Sequence, residues 1–560
     1  MDVLILLAVF LGLILFVFIQ GYLNEKKELK KFREKLYSLK GKIPDKEYKI
    51  ERFLRISAFF EKHPEEFQID DITWNDLNMD EVFKRSNYCL SSTGEEVLYY
   101  LYRTPNFSEE ELIHFDDITE YYGTNDEERV QYQLLMKELG TTGKYSLYDY
   151  MGYLTGLEIH SNKKELIRIL FLPLAIVSFW INLTAGILLI LAWIIWQIFD
   201  YYKKKGEIEP YTVSLAYVMR LLNVANKVKD ILPDACEHEK EKIIESTSSL
   251  KMVGFGSFWL FSSGNSKTSG NPLDVILDYF RMIFHLDLIV FNRMLREITA
   301  HIQQVDLLVY QMGYIESAIS IALFRESLAE GYCKPEFDES GIEVTDGYHP
   351  LIEKPVKNSI NAKKGVLLTG SNASGKSTFL KMMAINSLLA QTIYTVAADK
   401  YKGNFSCLYT SMSLRDDLEN KESYYIVEIK SIKRILDNYK SKNISVLCFV
   451  DEVLRGTNTV ERIAASTQIL KGMNGERIQC FAATHDIELT HLLEDVYDNY
   501  HFEEEIKDGD ILFNYQLQSG RATTRNAIQL LKIMGYDSHI IEEAQIQAET
   551  FLNEGIWKAT

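Results

Sequence analysis

A glycine-rich segment with one lysine carries the residue types that bind a nucleotide phosphate. Residues 370–378 read GSNASGKST and match the pattern G-x-x-x-x-G-K-[ST]. An apolar run leads into this segment and a helical pattern leads out of it, so backbone N–H groups and a helix N-terminus can face one phosphate. Lys376 is expected to reach the β- and γ-phosphates, and the Ser377 hydroxyl is expected to bind Mg²⁺. The predicted nucleotide-binding residues in this segment are Gly370, Ser371, Asn372, Ala373, Ser374, Gly375, Lys376, Ser377 and Thr378.

Two acidic residues follow a second apolar run further along the chain. Val446–Val450 has the composition of a buried strand, and Asp451 and Glu452 come directly after it. At a strand end, Asp451 can hold Mg²⁺, and Glu452 can orient or deprotonate an attacking water molecule. The alternative is a pair of solvent-exposed acids without a catalytic role.

A histidine follows a third apolar run. His485 comes shortly after Ile478–Ala483, and at a strand end it can contact the γ-phosphate, although a lone histidine is more often structural. Together with Lys376 and Glu452 it completes the predicted catalytic set. Three strand ends that meet at one triphosphate are typical of ABC-type ATPases, which hydrolyse ATP with Mg²⁺.

The secondary-structure pattern changes near residue 340. After it, short β-branched runs alternate with helical stretches, which predicts an α/β domain with a largely parallel sheet over residues 341–560. The segments His501–Glu505 and Ile511–Leu517 flank Asp508-Gly509, which predicts a β-hairpin. Residues 61–340 show mostly helical periodicity. The chain is therefore predicted to be multidomain, with an all-α core or lever region before a C-terminal ATPase domain.

The N-terminus has the pattern of a membrane anchor. Val3–Ile19 is an unbroken apolar run, and a lysine-rich segment follows it. Basic residues concentrate on the cytoplasmic side, so residues 1–22 are expected to form an uncleaved anchor with its N-terminus outside. A cleavable signal peptide is the alternative. Residues 23–60 are expected to form an amphipathic helical stalk.

A second apolar block lies inside the helical region. Ile169–Phe199 is too long for one upright membrane helix, and polar residues near Asn182 offer a turn. Lysines flank the block on both sides, so residues 167–199 are expected to form a membrane hairpin with both ends in the cytoplasm. A buried pair of helices in a soluble domain is the alternative. The chain is thus expected in a membrane, as a multi-pass protein of the plasma membrane with a cytoplasmic ATPase domain.

Charge and cysteine content exclude some classes of protein. The 560-residue chain has a formal net charge of −18, so contact with nucleic acid would need a local basic patch. The six cysteines contain no C-x-x-C pair, so neither a disulfide scaffold nor a cysteine zinc site is supported.

The motifs together closely resemble those of the MutS family of DNA mismatch-repair ATPases. Besides the segments above, the resemblance rests on GYHPLIE at 347–353, LLAQ at 388–391, DDL at 416–418 and DEVLRGTNT at 451–459. By this resemblance Gln391 would contact the nucleotide, and Ser423 would reach the γ-phosphate held by a second subunit. The resemblance therefore implies a homodimer whose helical regions relay the nucleotide state, with DNA as the partner.

The sequence also departs from the family pattern. The family reads mismatches with an N-terminal domain that carries a Phe-x-Glu motif, and this chain is expected to lack that domain. The predicted membrane hairpin lies where helices of a DNA clamp should extend. The alternative function is a membrane-tethered, ATP-driven mechanochemical module that acts on a protein or envelope partner. An ABC transporter is disfavoured, because the three predicted crossings are few and the segment before Ser423 is not glycine-rich.

Overall fold

The chain divides into two compact units. The computed structural model describes residues 2–143, 146–155, 161–261, 272–371, 374–412, 424–441, 444–455, 457–507, 510–522, 528, 531–532, 534–555 and 557. The first unit consists of residues 1–64, 86–100 and 117–324, and the second consists of residues 65–85, 101–116 and 325–560.

Helices account for the regular structure of the chain up to residue 326. They are α1 (Asp2–Tyr37), α2 (Ile50–Ile56), α3 (Ala58–Lys62), α4 (Asp71–Asp76), α5 (Met79–Ser86), α6 (Ser92–Arg103), α7 (Glu109–Thr124), α8 (Asp126–Leu139), α9 (Leu147–Thr155), α10 (Lys163–Ile181), α11 (Leu183–Val228), α12 (Glu237–Ser249), α13 (Ser257–Phe261), α14 (Pro272–Phe284), α15 (Leu286–Ala300) and α16 (Ile302–Glu326). This agrees with the helical region predicted over residues 61–340. The Gly/Ser-rich pattern of residues 254–272 favours a loop, but residues 257–261 form α13, and residues 262–271 lie outside the described residues.

Close contact between α6 and α16 builds the core of the first unit. A Cβ atom at Gly313 would lie 2.5 Å from Cγ2 of Val97, so only glycine allows the two helices to approach this closely. The buried Glu316 carboxylate accepts a hydrogen bond from the backbone N–H of Ser91 at 3.2 Å and thereby caps the start of α6. α16 is therefore a core helix of this unit.

Helices α10 and α11 form the predicted hairpin. The break between them lies at Asn182, whose side chain accepts a hydrogen bond from the Ala185 N–H at 3.1 Å and caps α11. The second helix is longer than predicted, because it continues without a break through Lys203–Lys205 to Val228.

Two helices among the described residues are long and apolar enough to cross a membrane. One is Leu183–Gly206, of which 17% is buried inside the protein, and the other is Ile302–Glu326, of which 83% is buried. The second is the core helix α16, whereas the first presents its apolar side chains at the surface.

The second unit contains two β-sheets and the remaining helices. The strands are β1 (Glu336–Phe337), β2 (Ile342–Gly347), β3 (Asn358–Ala362), β4 (Gly365–Thr369), β5 (Lys400–Gly403), β6 (Cys407–Ser411), β7 (Val446–Asp451), β8 (Ile478–Ala483), β9 (Tyr497–Lys507) and β10 (Asp510–Ser519). The helices are α17 (Lys376–Ile393), α18 (Tyr424–Ser441), α19 (Thr459–Gly472), α20 (Ile487–Leu492) and α21 (Ser538–Glu554). The larger sheet has the order β10-β9-β4-β8-β7-β6 and is parallel except for the β9–β10 hairpin.

The predicted α/β domain is confirmed, but its boundary differs from the expected one near residue 340. Residues 65–85 and 101–116 belong to the same compact unit as the sheets. The reason is visible at the edge strand β6, where Asp76 of α4 accepts hydrogen bonds from the Thr410 hydroxyl at 2.7 Å and from the Met412 N–H at 2.8 Å. A side chain from α4 thus accepts hydrogen bonds from polar groups at the edge of the sheet, which would otherwise be exposed.

Candidate nucleotide-binding site

Neighbouring parallel strands bring the predicted site residues to one edge of the larger sheet. β4 pairs with β8, and β8 pairs with β7, with Leu368 opposite Ala483 and Ala483 opposite Asp451. Because the three strands are parallel and in register, the segments that follow them lie at the same end of the sheet. Lys376, Asp451, Glu452 and His485 all line one cavity there.

Two glycines shape the loop between β4 and α17. Gly370 has a φ of +139° and Gly375 a φ of +109°, in the region that side chains other than glycine rarely adopt. A Cβ atom at Gly370 would also lie 2.8 Å from the carbonyl oxygen of Phe502. Ser374 Oγ is buried and has no hydrogen-bond partner within the described part of the chain. This loop therefore offers an unused polar atom beside the cavity, while Asn372 and Ala373 lie outside the described residues.

The Lys376 ammonium group points back into the loop. Its Nζ atom donates to the carbonyl oxygens of Gly370 at 2.9 Å and Ser371 at 2.8 Å. Burial lowers the pKa of Lys376, although the charges of Asp451 and Glu452 oppose this effect. The lysine is thus partly desolvated and lies beside two carboxylates.

Ser377 and Asp451 form the pair expected to bind a metal ion. The Ser377 hydroxyl donates to Oδ2 of Asp451 at 2.5 Å. A hydroxyl oxygen and a carboxylate oxygen are ligands that Mg²⁺ accepts, and Mg²⁺ completes its shell with water and substrate phosphate. These two side chains fit a Mg²⁺ ion that is bound together with a nucleotide.

Glu452 directly follows β7 and has a strained backbone conformation, and the side chains of Arg455 and His485 bind its carboxylate. Its φ is +58°, and its carboxylate bonds to Arg455 and, at 2.9 Å, to Nε2 of His485. Burial opposes ionisation of this group, but the hydrogen bonds from His485 and Arg455 outweigh burial and lower its pKa to about 2. Glu452 is therefore a carboxylate at neutral pH, as a general base must be.

The cavity has a volume of about 460 Å³, within the range of small-molecule sites. Apolar and aromatic side chains also line the cavity, namely Ile352, Val356, Met382, Phe502 and Tyr515. His349 also lines it, and burial together with the charge of Lys381 lowers the pKa of His349 to about 4. The cavity lining thus combines charged groups with apolar side chains that can accept an uncharged aromatic group.

Two residues that line the cavity, Arg455 and Tyr515, were not predicted from the sequence as site residues. Arg455 lies within the DEVLRGTNT segment, so its closeness to Glu452 in the sequence could have indicated that it belongs to the site. Tyr515 had no such signal, because a register shift between Phe513 and Leu517 places it in the cavity.

Two other predicted site residues do not contribute to this cavity as the structure describes it. Gln391 lies near the far end of α17, where its Oε1 accepts a hydrogen bond from the Ser406 N–H at 2.7 Å and its Nε2 donates to the Ser387 carbonyl at 3.3 Å. Both polar atoms of its side-chain amide are therefore hydrogen-bonded to the backbone, and Gln391 does not line the cavity. Ser423 lies outside the described residues.

Comparison with known proteins agrees with this geometry. The family model described as MutS domain V matches residues 366–552. The chain is 30% identical over 235 residues to DNA mismatch repair protein MutS of Thermus thermophilus, which covers 41% of this chain and 28% of that protein. It is 29% identical over 284 residues to the MutS protein of Bacillus pumilus, covering 48% of this chain and 32% of the relative.

A eukaryotic relative gives the same result. MutS protein homolog 4 of Mus musculus is 31% identical over 264 residues, which cover 44% of this chain and 27% of that protein. The chain thus spans less than a third of the length of these curated relatives, and the family model matches residues of the unit that holds the cavity. Residues 366–552 thus match MutS domain V, and through this region the chain is similar to proteins of the MutS family.

Proposed function

We propose that the protein is a Mg²⁺-dependent ATPase whose site is the cavity at the carboxyl edge of the larger sheet. The observation that carries the proposal is the ionised Glu452 carboxylate, which His485 and Arg455 hold in the same cavity as Lys376 and Asp451. A base beside a lysine and a metal-binding carboxylate is the arrangement that ATP hydrolysis needs.

Each residue has a role in this proposal. Backbone N–H groups of the loop at 370–375 and the Lys376 ammonium bind the phosphates. Ser377 and Asp451 hold Mg²⁺, which neutralises charge on the phosphates when it is bound. Glu452 accepts a proton from the attacking water, and His485 orients the Glu452 carboxylate and faces the γ-phosphate. The apolar wall near Val356 and Tyr515 takes the nucleobase.

We further propose that ATP turnover works in a homodimer and drives a helical clamp. The support is the similarity to the MutS family, since Ser423 by resemblance acts on the nucleotide of a second subunit. The curated bacterial relatives are named as DNA mismatch repair proteins, so DNA is the proposed partner. The alternative remains a mechanochemical module that acts on a protein or envelope partner, and the exposed apolar hairpin favours it.

We propose membrane attachment through residues 3–19 and the α10–α11 hairpin, with the ATPase unit in the cytoplasm. The support is the exposed apolar surface of α11, where Leu188 is 63% exposed and Ile195 is 67% exposed. Large exposed apolar patches are rare on soluble monomers and mark sites of contact with lipid or protein.

Replacement of Lys376 tests whether the cavity binds ATP. Lys376→Ala should abolish phosphate release and weaken the binding of a fluorescent ATP analogue, because the lysine supplies the main positive charge for the phosphates. Lys471→Ala, on the exposed surface of α19, is the matched control and should behave as the unmodified protein. Undiminished hydrolysis in Lys376→Ala would overturn the site assignment.

A further inference from the structure

A buried carboxyl group outside the cavity contacts the turn that carries Glu452. Glu428 lies in the first two turns of α18 and is 1% exposed. Its Oε1 atom accepts hydrogen bonds from the backbone N–H of Leu454 at 2.5 Å and of Arg455 at 3.4 Å. The side chain thus bonds to two successive peptide groups directly after the candidate base.

These two peptide groups belong to a strained turn. Glu452 has a φ of +58° and Leu454 a φ of +62°, and residues other than glycine adopt such values only when their surroundings impose them. The Glu452 N–H donates to the carbonyl of Ala483 at 2.9 Å, which holds one end of the turn on β8. Glu428 holds the other end.

The contact with the turn accounts for a carboxyl group at this buried position. Burial raises the pKa of Glu428, and the hydrogen bonds from the backbone of Leu454 and Arg455 partly offset that effect. Its second oxygen, Oε2, is buried and has no hydrogen-bond partner within the described ranges. A buried carboxyl group with one unsatisfied oxygen destabilises the folded state, and its hydrogen bonds to the strained turn only partly offset that destabilisation.

We propose that Glu428 is a positioning residue for hydrolysis, which acts by fixing the backbone turn that aims the Glu452 carboxylate into the cavity. This inference rests on the proposed ATPase. Without the acceptor at Glu428, the turn can relax toward ordinary φ values and rotate Glu452 away from His485. A displacement of about 1 Å at a reacting group can cost roughly 10²-fold in rate. Nucleotide binding uses the loop at 370–375 and does not depend on this turn.

The test compares Glu428→Ala and Glu428→Gln in the full-length protein. Glu428→Ala should lower kcat by roughly tenfold to 10²-fold, while KM for ATP and the affinity for a fluorescent ATP analogue change by less than about threefold, a small difference in binding energy. Glu428→Gln keeps an oxygen that can accept both N–H groups, so it should restore most of kcat. The matched control is Ser431→Ala, one turn later on α18, where the hydroxyl is also buried without a partner among described residues.

The possible outcomes separate the two proposals. An unmodified protein that does not hydrolyse ATP would contradict the proposed ATPase itself. If the unmodified protein hydrolyses ATP but Glu428→Ala keeps its kcat, the positioning role is wrong and the ATPase stands. A loss of kcat in Ser431→Ala equal to that in Glu428→Ala, or no recovery in Glu428→Gln, would also overturn the positioning role, because either result indicates general damage to α18.

Discussion

Glu452 shows how two neighbouring side chains set the ionisation of a candidate base. The ion pair with Arg455 and the hydrogen bond with His485 lower its pKa to about 2 against the opposing effect of burial. The sign follows from charge, since a cationic partner favours the carboxylate. Glu452 is therefore ionised at neutral pH and can accept a proton there.

Removal of Arg455 should move the acid limit of activity to higher pH. In Arg455→Ala the pKa of Glu452 rises toward its ordinary value of 4.5, so the base becomes protonated earlier as the pH falls. The measurement is kcat at saturating ATP between about pH 2 and pH 7, a range that covers both pKa values of Glu452, compared with the unmodified protein. Arg477→Ala is the control, because Arg477 precedes β8 at the opposite edge of the sheet. An acid limit that stays unchanged or moves to lower pH in Arg455→Ala would contradict this account of Glu452.

The sequence predicted some of these residues and not others for a physical reason. Asp451 and His485 lie at or just after the ends of apolar strands, and Lys376 follows another such strand after a short loop. Because parallel strands in one sheet end together, the convergence of these residues could be inferred. The contact of Glu428 with the backbone of Leu454 could not, because it depends on positive φ values at residues other than glycine. Nothing in the residue types at 452–454 indicates such a conformation.

At the scale of elements, the α10–α11 hairpin is the feature whose exposed side chains most require contact with lipid or with another protein. Ion pairs and a hydrogen bond close its base: Lys204 pairs with Glu165 at 2.6 Å and Arg168 pairs with Asp200, while Nδ1 of His285 lies 2.7 Å from a Glu165 carboxylate oxygen. Between the break at Asn182 and this network the exposed side chains of α11 are mostly apolar, among them Leu188 and Ile195. α10 has 19 residues, which at about 1.5 Å per residue nearly matches a ~30 Å hydrocarbon core.

If the hairpin crosses a membrane, its tip should be reachable from outside the cell. Thr184→Cys, next to the break at Asn182, should react with a membrane-impermeant maleimide in intact cells, because both ends of the hairpin are proposed to be cytoplasmic. Ile540→Cys is the matched control: Ile540 is 52% exposed on α21, and this variant should react only after the cells are permeabilised. Reaction of Thr184→Cys only after permeabilisation would contradict the crossing.

The sequence indicated the break at Asn182 but not the length of the second helix. Asparagine, threonine and glycine near the centre of the apolar block favour a cap, which the structure contains. The continuation of α11 to Val228 could not be inferred from hydropathy, because the lysines at 203–205 resemble the end of a membrane helix. A helix tolerates such a change from apolar to charged side chains when later residues such as Leu221 pack into a core.

At the scale of the whole molecule, the proposed homodimer predicts that two inactive variants complement each other. Lys376→Ala removes the phosphate-binding lysine, and Ser423→Ala removes the hydroxyl proposed to act on the partner's nucleotide. A heterodimer of the two variants contains one composite site with both residues, so mixing them should recover ATP turnover that neither variant has alone. No recovery in a verified heterodimer would count against a shared site.

Binding to DNA separates the two proposed partners. The full-length protein in detergent should bind duplex, branched or mismatched DNA with an affinity that falls as salt rises, because phosphate contacts release counterions. Absence of salt-sensitive binding to all three would remove DNA from the proposal and leave a protein or envelope partner. The net charge of −18 makes this a demanding test, because any DNA contact must come from a local basic surface.

The division of the whole chain into units was only partly predictable. The sequence places the α/β domain after residue 340, whereas residues 65–85 and 101–116 join it in the structure. Their local pattern is helical like that of their neighbours. Long-range contacts tie them to the second unit, such as that of Asp76 with β6 and that of the Asn106 N–H with the Gln391 carbonyl, and contacts of this kind leave no periodic signal in the sequence.

The most direct test of the proposed ATPase is the identity of the nucleotide bound to Glu452→Gln. The full-length variant is incubated with Mg²⁺ and ATP, unbound nucleotide is removed, and the bound nucleotide is extracted and resolved by chromatography. Because the loop and Lys376 are intact while the base is lost, the variant should retain bound ATP under conditions in which the unmodified protein forms ADP. Formation of ADP by Glu452→Gln at the rate of the unmodified protein would contradict the role of Glu452.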